Sequence, residues 1–163
     1  MMIEDPIVLL VYDSQNDAML MRTVFERAGF VQPMSLAVDG DDAIAYLRGD
    51  GHYGDRKLFP LPTTVLLDLN MPRKDGFEVL DWIRHQPALR RLRVYILSTS
   101  SRAQDIERAY DLGANSYLVK PGNLDGLLTM AQCLVAWLRL SHFAPLGDAS
   151  DSRVPFVVSS AAS

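Results

Sequence analysis

The sequence lacks the residues that several broad classes of protein need. It has one cysteine, Cys133, in 163 residues, which excludes an internal disulfide or a cysteine-rich metal site and suits a reducing compartment. No apolar run approaches the roughly 18 residues of a membrane span, and Glu4 and Asp5 stand where a secretory signal would be basic. A net charge of −4 and a pI near 5.3 provide no basic field for nucleic acid. We therefore expect a cytoplasmic protein that binds neither a membrane nor a nucleic acid directly.

The composition predicts one folded domain. Hydrophobic residues make up 48% of the chain, enough for one good core, but the length is short for two domains. No internal repeat and no long block of like charge is present. After His142 the composition shifts to glycine, serine, aspartate and proline. We therefore predict a domain over residues 1–142 and a C-terminal tail over residues 143–163 that is either mobile or packed on a partner.

Five short apolar runs alternate with five amphipathic segments. The runs are rich in aliphatic residues, as in strands buried on both faces, and the segments repeat apolar residues at three- and four-residue steps, as in helices. Parallel strands need crossover connections, so the pattern predicts an α/β fold with a five-stranded parallel sheet and helices on both faces. The predicted strands are Ile7–Tyr12, Met34–Val38, Thr63–Asp68, Val94–Leu97 and Ser116–Val119, and the predicted helices are Asp17–Ala28, Asp41–Leu47, Asp75–His85, Ala103–Leu112 and Asn123–Leu140.

Residues 49–54 match the dinucleotide-binding pattern G-x-G-x-x-G letter for letter. That pattern binds a pyrophosphate when its glycines join a strand to the N-terminus of a helix. Here the glycines follow a predicted helix and lead toward Pro60 and Pro62. We therefore interpret the segment as a surface loop.

Polar residues stand at the ends of four of the predicted strands. In a right-handed parallel sheet, the carboxyl ends of strands one, three, four and five meet at the edge where such sheets bind ligands. Those ends carry Asp13, Asp68, Ser98 and Lys120. One acid alone would be an ordinary helix cap or turn former, but two carboxylates together suit Mg²⁺, and an ammonium and a hydroxyl can bind a phosphoryl group. The sequence therefore predicts a site for Mg²⁺ and a phosphoryl group.

These residues resemble the receiver domain of two-component response regulators over roughly residues 7–140. The motifs are Asp13, Leu-Leu-Asp-Leu-Asn-Met-Pro-x-x-Asp-Gly around Asp68, Ser98, Tyr117 and Lys120-Pro121. The resemblance implies a flavodoxin-like (βα)5 three-layer sandwich and a single-domain response regulator that signals by protein contact and is not an enzyme. The long loop before strand three and the stretches 97–101 and 112–121 further resemble stand-alone regulators paired with bacterial phytochrome histidine kinases. Such a sensor kinase is therefore the implied partner.

The resemblance also implies a role for each residue of the acceptor site. Asp68 would be the phosphoacceptor, taking a phosphoryl group from a phosphohistidine of the kinase in a two-component phosphorelay. Mg²⁺ would be held by the carboxylates of Asp13 and Asp68 and by the backbone carbonyl of Asn70. Lys120 would contact the transferred group.

Ser98 and Tyr117 resemble the switch pair of the family. On phosphorylation the Ser98 hydroxyl would move to a phosphoryl oxygen and the Tyr117 ring would follow inward, which reshapes the face formed by helix four, strand five and helix five. The Lys120–Pro121 bond is also a candidate cis peptide, because proline makes that isomer accessible.

Tyr12 departs from the family pattern, in which this position is usually Asp or Glu. A phenol is neutral near pH 7, so one negative charge is missing and Mg²⁺ binding should be weaker. A ring at the rim of the pocket could also shield Asp68. The alternative function is therefore a receiver-like interaction module that acts without phosphorylation. A small-molecule phosphotransferase would need a second substrate pocket and a general base, and the sequence indicates neither.

The last predicted helix is apolar on all sides. A helix of this kind needs a second surface for burial, so we predict a homodimer through helix five and its neighbours, with a tail folded over the same face as the alternative. One broad face carries Leu124, Leu127, Leu128, Ala131, Leu134, Val135 and Leu138, and the opposite side carries Met130, Cys133, Trp137 and Leu140.

Overall fold

The computed structural model describes residues 6–144 and residue 146. Five parallel strands form one sheet in the order β2-β1-β3-β4-β5, and five helices connect and flank them. The predicted α/β fold is confirmed. The strands are β1 Val8–Val11, β2 Met34–Ala37, β3 Thr64–Asp68, β4 Arg93–Ser98 and β5 Ser116–Val119, and the helices are α1 Gln15–Arg27, α2 Gly40–Arg48, α3 Gly76–Arg84, α4 Ala103–Asp111 and α5 Leu124–Leu140.

Two apolar cores cover the two faces of the sheet. Alternate residues of each strand point to opposite faces, so Leu9 and Val11 join one core while Val8 and Leu10 join the other. The first core includes buried residues of α2, α3 and α4, and the second includes those of α1 and α5. The sheet is therefore the middle layer of a three-layer sandwich, as predicted.

The register of the strands brings their carboxyl ends to one level. Val11 pairs with Leu67, so residues 12 and 68 come next on adjacent strands. Asp68 pairs with Leu97 at the end of β4. The backbone N–H of Lys120 donates to the carbonyl of Ser98, 2.8 Å away, which extends the β4–β5 alignment past the end of β5. The four strand ends therefore form a continuous polar edge.

The glycine-rich segment, residues 49–54, does not have the backbone geometry of a phosphate-binding loop. Gly49 ends α2 in a left-handed conformation with φ of 77°, and residues 51–54 form a short 3-10 helix. Arg56 folds back and donates to the carbonyls of Tyr46 and Leu47 in the last turn of α2, at 2.7 and 2.9 Å. The segment therefore caps the C-terminal end of a helix, where the dipole favours a cation rather than a phosphate.

Two other expectations concern the chain after β5. The Lys120–Pro121 bond is trans, so the predicted cis isomer is wrong; the trans form is favoured before proline by about 0.5–1 kcal/mol. Of the predicted tail over 143–163, the structure describes only residues 143, 144 and 146. Within them, the Phe143 ring lies under the Arg93 guanidinium at 5.3 Å, and Leu146 packs against the first core. The expected mobility or packing of residues 147–163 lies outside the described residues and stays a prediction.

None of the helices in the described part of the chain is both long and apolar enough to cross a membrane.

Gly76, at the start of α3, provides a test of how tightly the loop after Asp68 is packed. A Cβ at this position would collide with the carbonyl oxygen of Asp68 and would lie 2.8 Å from the Cα of Leu69. Backbone atoms cannot rotate away, so we expect Gly76→Ala to lower the free energy of unfolding by about 2 kcal/mol, measured by urea denaturation. Gly122→Ala is the control, because a Cβ there would meet no atom within 4 Å. Equal stability of the two variants would contradict the close packing.

Candidate functional site

Asp68 occupies the centre of the polar edge, at the end of the middle strand β3. The residue is 6% exposed, and its Oδ1 accepts a hydrogen bond from the backbone N–H of Asn70 at 3.2 Å. Burial raises the pKa of the carboxyl group above its ordinary value, while the Lys120 ammonium and the Asn70 N–H act in the opposite direction. A carboxylate has about four lone-pair sites, so one hydrogen bond leaves Asp68 able to bind a cation or to attack an electrophile.

Two further carboxylates, those of Asp13 and Asp17, lie near Asp68. Asp13 follows β1, and Asp17 lies four residues later in the first turn of α1, whose N-cap Ser14 accepts a hydrogen bond from the Asp17 N–H at 3.3 Å. Both residues are exposed, and the negative charge of each raises the pKa of Asp68. The sequence analysis missed Asp17, although a second acid in the first turn of the helix that follows Asp13 was a usable signal.

The donors at this edge are all oxygen atoms. Within the described residues, no group of three Asp, Glu, His or Cys side chains is arranged to hold a metal ion. A cation would therefore take one or two carboxylates, a backbone carbonyl and water as ligands. This is the ligand set that Mg²⁺ commonly accepts, so the residues fit the predicted metal.

Tyr12 lies beneath the site and not at its rim, contrary to the expectation of a shielding ring. The residue is 1% exposed because it continues the alternation of β1 and points into the core of α1 and α5. Burial raises the pKa of the phenol, and the negative charges of Asp68 and Asp17 raise it further, so the group stays neutral as predicted. Its hydroxyl oxygen is buried and has no hydrogen-bond partner among the described residues.

Lys120 reaches the site from the end of β5. Its Nζ lies 4.7 Å from the centroid of the Tyr12 ring, in a cation–π contact. No ion pair joins this ammonium to Asp68 in the part of the chain that the structure describes, although its charge lowers the pKa of that carboxyl group. The ammonium is therefore close enough to act on Asp68 without direct contact.

Ser98 and Tyr117 are connected through a third residue, Ser100. The Oγ of the fully buried Ser98 accepts a hydrogen bond from the backbone N–H of Ser100 at 3.1 Å. The half-buried Tyr117 donates its hydroxyl to the carbonyl of Ser100 at 2.9 Å. Ser100 also donates its own hydroxyl to Asp105 of α4 at 2.5 Å. The sequence analysis predicted Ser98 and Tyr117 but missed the connecting residue, for which the only signal was the run of hydroxyl residues after β4.

Comparisons with known proteins agree on one family. The profile of the response regulator receiver domain matches residues 8–132. The chain is 38% identical over 133 residues to the response regulator Rcp1 of Synechocystis sp., covering 81% of this chain and 88% of Rcp1. It is 42% identical over 137 residues to the probable methanogenesis regulatory protein FilR2 of Methanothrix harundinacea, covering 83% and 86%.

Solved structures of response regulators are also similar to this chain. The phosphorylated cyanobacterial phytochrome response regulator RcpA superposes with a TM-score of 0.76 at 34% identity, covering 84% of this chain and 96% of RcpA. The Mn²⁺-bound form of Rcp1 superposes with a TM-score of 0.73 at 36% identity, covering 85% and 99%. The matched region contains every residue placed at the polar edge above.

The buried carboxylate predicts how stability depends on pH. Because the folded state raises the pKa of Asp68 above its ordinary 3.8, ionisation costs stability as the pH rises through that pKa. We therefore expect Asp68→Asn to be more stable than the wild type at pH 7 without metal, by roughly 1 kcal/mol, and the difference to shrink as the pH falls toward 3.8.

Urea denaturation in the presence of a chelator measures this difference. Glu107→Gln is the control. It removes an exposed negative charge from α4 and should change the free energy of unfolding by less than about 0.5 kcal/mol. If Asp68→Asn were no more stable than the wild type at pH 7, that result would contradict the destabilising effect of the buried, ionised carboxylate.

Proposed function

The chain belongs to the family of response regulator receiver domains, and we propose that it is a single-domain response regulator phosphorylated on Asp68 by a sensor histidine kinase. The observation that supports this best is the buried carboxylate at the edge of the sheet, with an ammonium, a hydroxyl and further carboxylates around it. Asp68 is the only acid among the buried side chains of the described residues. We propose that the output is a protein contact, as expected of a signalling module with no activity of its own beyond the phosphoryl exchange.

The proposed transfer uses one oxygen of Asp68 as the nucleophile. That oxygen attacks the phosphorus of the kinase phosphohistidine, the P–N bond breaks, and its electron pair returns to the imidazole. The attacking carboxylate must be ionised, and the Lys120 ammonium favours this state by lowering the pKa of Asp68. The product is an aspartyl phosphate whose charge the same ammonium can then contact.

We propose Mg²⁺ as the cofactor, with Asp13, Asp68 and the carbonyl of Asn70 as its protein ligands. Receiver domains bind a divalent metal, and the Mn²⁺-bound form of Rcp1 supports such a site in a relative. When bound, the cation offsets the repulsion between the carboxylate and the incoming phosphoryl oxygens. The oxygen-only donor set of this chain suits either cation.

The proposed switch follows the hydrogen bonds through Ser100. When the Ser98 hydroxyl turns to a phosphoryl oxygen, the Ser100 N–H loses its acceptor. Ser100 is also bonded to Tyr117 and to Asp105, so its displacement reaches β5 and the first turn of α4. New charge at Asp68 thereby alters the surface formed by α4, β5 and α5.

A bacterial phytochrome histidine kinase is the proposed partner. The relationship to RcpA, whose name is that of a phytochrome response regulator, supports this assignment. We also propose the cytoplasm as the compartment, because the exposed thiol of Cys133 suits a reducing environment.

The alternative of a receiver-like module that acts without phosphorylation gains no support from the comparisons. It rested on a blocking ring and a missing charge at Tyr12. The ring is buried, so only the missing charge remains, and that affects how tightly a cation binds.

A small phosphodonor tests the acceptor. With Mg²⁺ and acetyl phosphate, we expect intact-mass spectrometry to show one added phosphoryl group on the wild type and none on Asp68→Asn. Tyr12→Asp restores a carboxylate and should reach half-maximal labelling at a lower Mg²⁺ concentration, on the order of tenfold. Asp81→Asn, on the exposed side of α3, is the control and should label like the wild type. Labelling of Tyr12→Asp without labelling of the wild type would favour the alternative module.

We further propose a homodimer through α5. Four of its residues are buried against the sheet, while Trp137 and Leu140 are 56% and 78% exposed. Beside Trp137 a cavity of about 450 Å³ opens between α5 and the edge strand β5, lined by Tyr95, Leu118, Met130 and Leu134 among others. An exposed apolar helix face next to an apolar cavity is a surface that a second copy can cover.

Leu140→Glu tests this interface. The side chain is exposed at the last position of α5, so the change should leave the fold intact while a charge enters the interface. We expect sedimentation velocity to show a dimer of the wild type at high micromolar concentration and a dissociation constant raised about tenfold or more in the variant. Leu58→Glu, 70% exposed in the loop before β3, should dimerise normally. A wild type that sediments as a monomer would overturn the proposal.

A further inference from the structure

Lys120 rests on an aromatic ring where an acid would be its usual partner. Its Nζ lies 4.7 Å from the Tyr12 ring centroid, within the range in which an ammonium is attracted to a ring face. Lys120 is the only lysine with such a contact among the described residues, which include all three lysines of the chain; Lys74 pairs with Asp41 at 3.5 Å. Tyr12 thus provides a specific resting place for this ammonium.

Both partners are held firmly in this arrangement. Tyr12 is among the largest fully buried side chains of the protein, fixed in the core of α1 and α5. The backbone N–H of Lys120 donates to Ser98 at 2.8 Å, which anchors the base of the lysine to β4. The alternation of side chains along a strand places Leu10 and Leu66 on the same face of the sheet, so residues 12 and 68 follow on that face. Ring, ammonium and carboxylate therefore meet on one side of the sheet edge.

We propose that Tyr12 is a positioning residue for Lys120. In the unphosphorylated protein, the ring of Tyr12 holds the Lys120 ammonium beside Asp68 without an ion pair between the two charged groups. An ammonium bonded to a carboxylate oxygen would cover the nucleophile and occupy the space into which the phosphorus must come. Held on the ring, it still stabilises the ionised carboxylate by its charge. A transferred phosphoryl group attracts the ammonium more strongly than the face of the ring does, so the ammonium leaves the ring when that group arrives.

The contact between Lys120 and the Tyr12 ring can be measured by NMR in the unphosphorylated protein. In protein labelled with ¹³C-lysine, three side-chain signals are expected, and Lys57→Arg and Lys74→Arg assign the third to Lys120. Protons over an aromatic face are shielded, so the Lys120 εCH₂ signal should lie upfield of the other two. Tyr12→Phe keeps the ring and should keep the shift. Tyr12→Leu should lose it, with ¹H–¹⁵N spectra as the check that the variant is folded.

The release of the Lys120 ammonium from the Tyr12 ring rests on the proposed function and is measured in a separate experiment. Addition of Mg²⁺ and beryllofluoride, a phosphoryl mimic, should move the Lys120 signal downfield in the wild type and leave it unchanged in Asp68→Asn. A Lys120 signal that coincides with Lys57 and Lys74 in the untreated wild type overturns the positioning role, whatever happens to Asp68. An upfield signal that beryllofluoride leaves in place would instead retain the resting contact and overturn the release, whereas absence of Asp68-dependent labelling by acetyl phosphate would overturn the phosphoacceptor role of Asp68.

Discussion

The in-register pairing of parallel strands is the constraint on which the rest of the structure depends. The strands β1, β3, β4 and β5 end at the same level, and each carries a polar residue at its end or within two residues after it. The strands β1, β3 and β4 are mostly apolar and almost entirely buried, so the hydrogen bonds between them are shielded from water. The polar residues thus project from a rigid support, and their spacing is set by the 4.7–4.9 Å separation of neighbouring strands.

Opposed electrostatic effects meet at Asp68 on this support. Burial and the charges of Asp13 and Asp17 disfavour its ionised form, whereas Lys120 and the Asn70 N–H favour it. The ionised carboxylate is therefore less favourable in the folded protein than in water, and a bound cation would stabilise it. Strain of this kind at a functional site lowers the stability of the free protein and increases the gain on binding.

Much of this arrangement could be predicted from the sequence because it follows from periodicity. Short aliphatic runs indicated the strands, and the polar residues at or directly after their ends were Asp13, Asp68, Ser98 and Lys120. Contacts made by loops could not be predicted in the same way, because the hydrogen bonds of Ser100 depend on the conformation of an irregular segment. The burial of Tyr12 is different: it follows from the alternation of Val8, Leu10 and Tyr12 toward one core, and the rim position was a misinterpretation of an available pattern.

That alternation also shows what the replacement of an acid by tyrosine changes in this site. A carboxylate at residue 12 would add charge for a cation and would give Lys120 a second anionic partner in competition with Asp68. A buried phenol removes that competition: its ring attracts the ammonium weakly, and its hydroxyl stays neutral. The missing charge should also make the cation site weaker, as the sequence analysis predicts. Without a carboxylate at residue 12, the lysine has one anionic neighbour fewer, so we expect its position to depend more strongly on the state of Asp68.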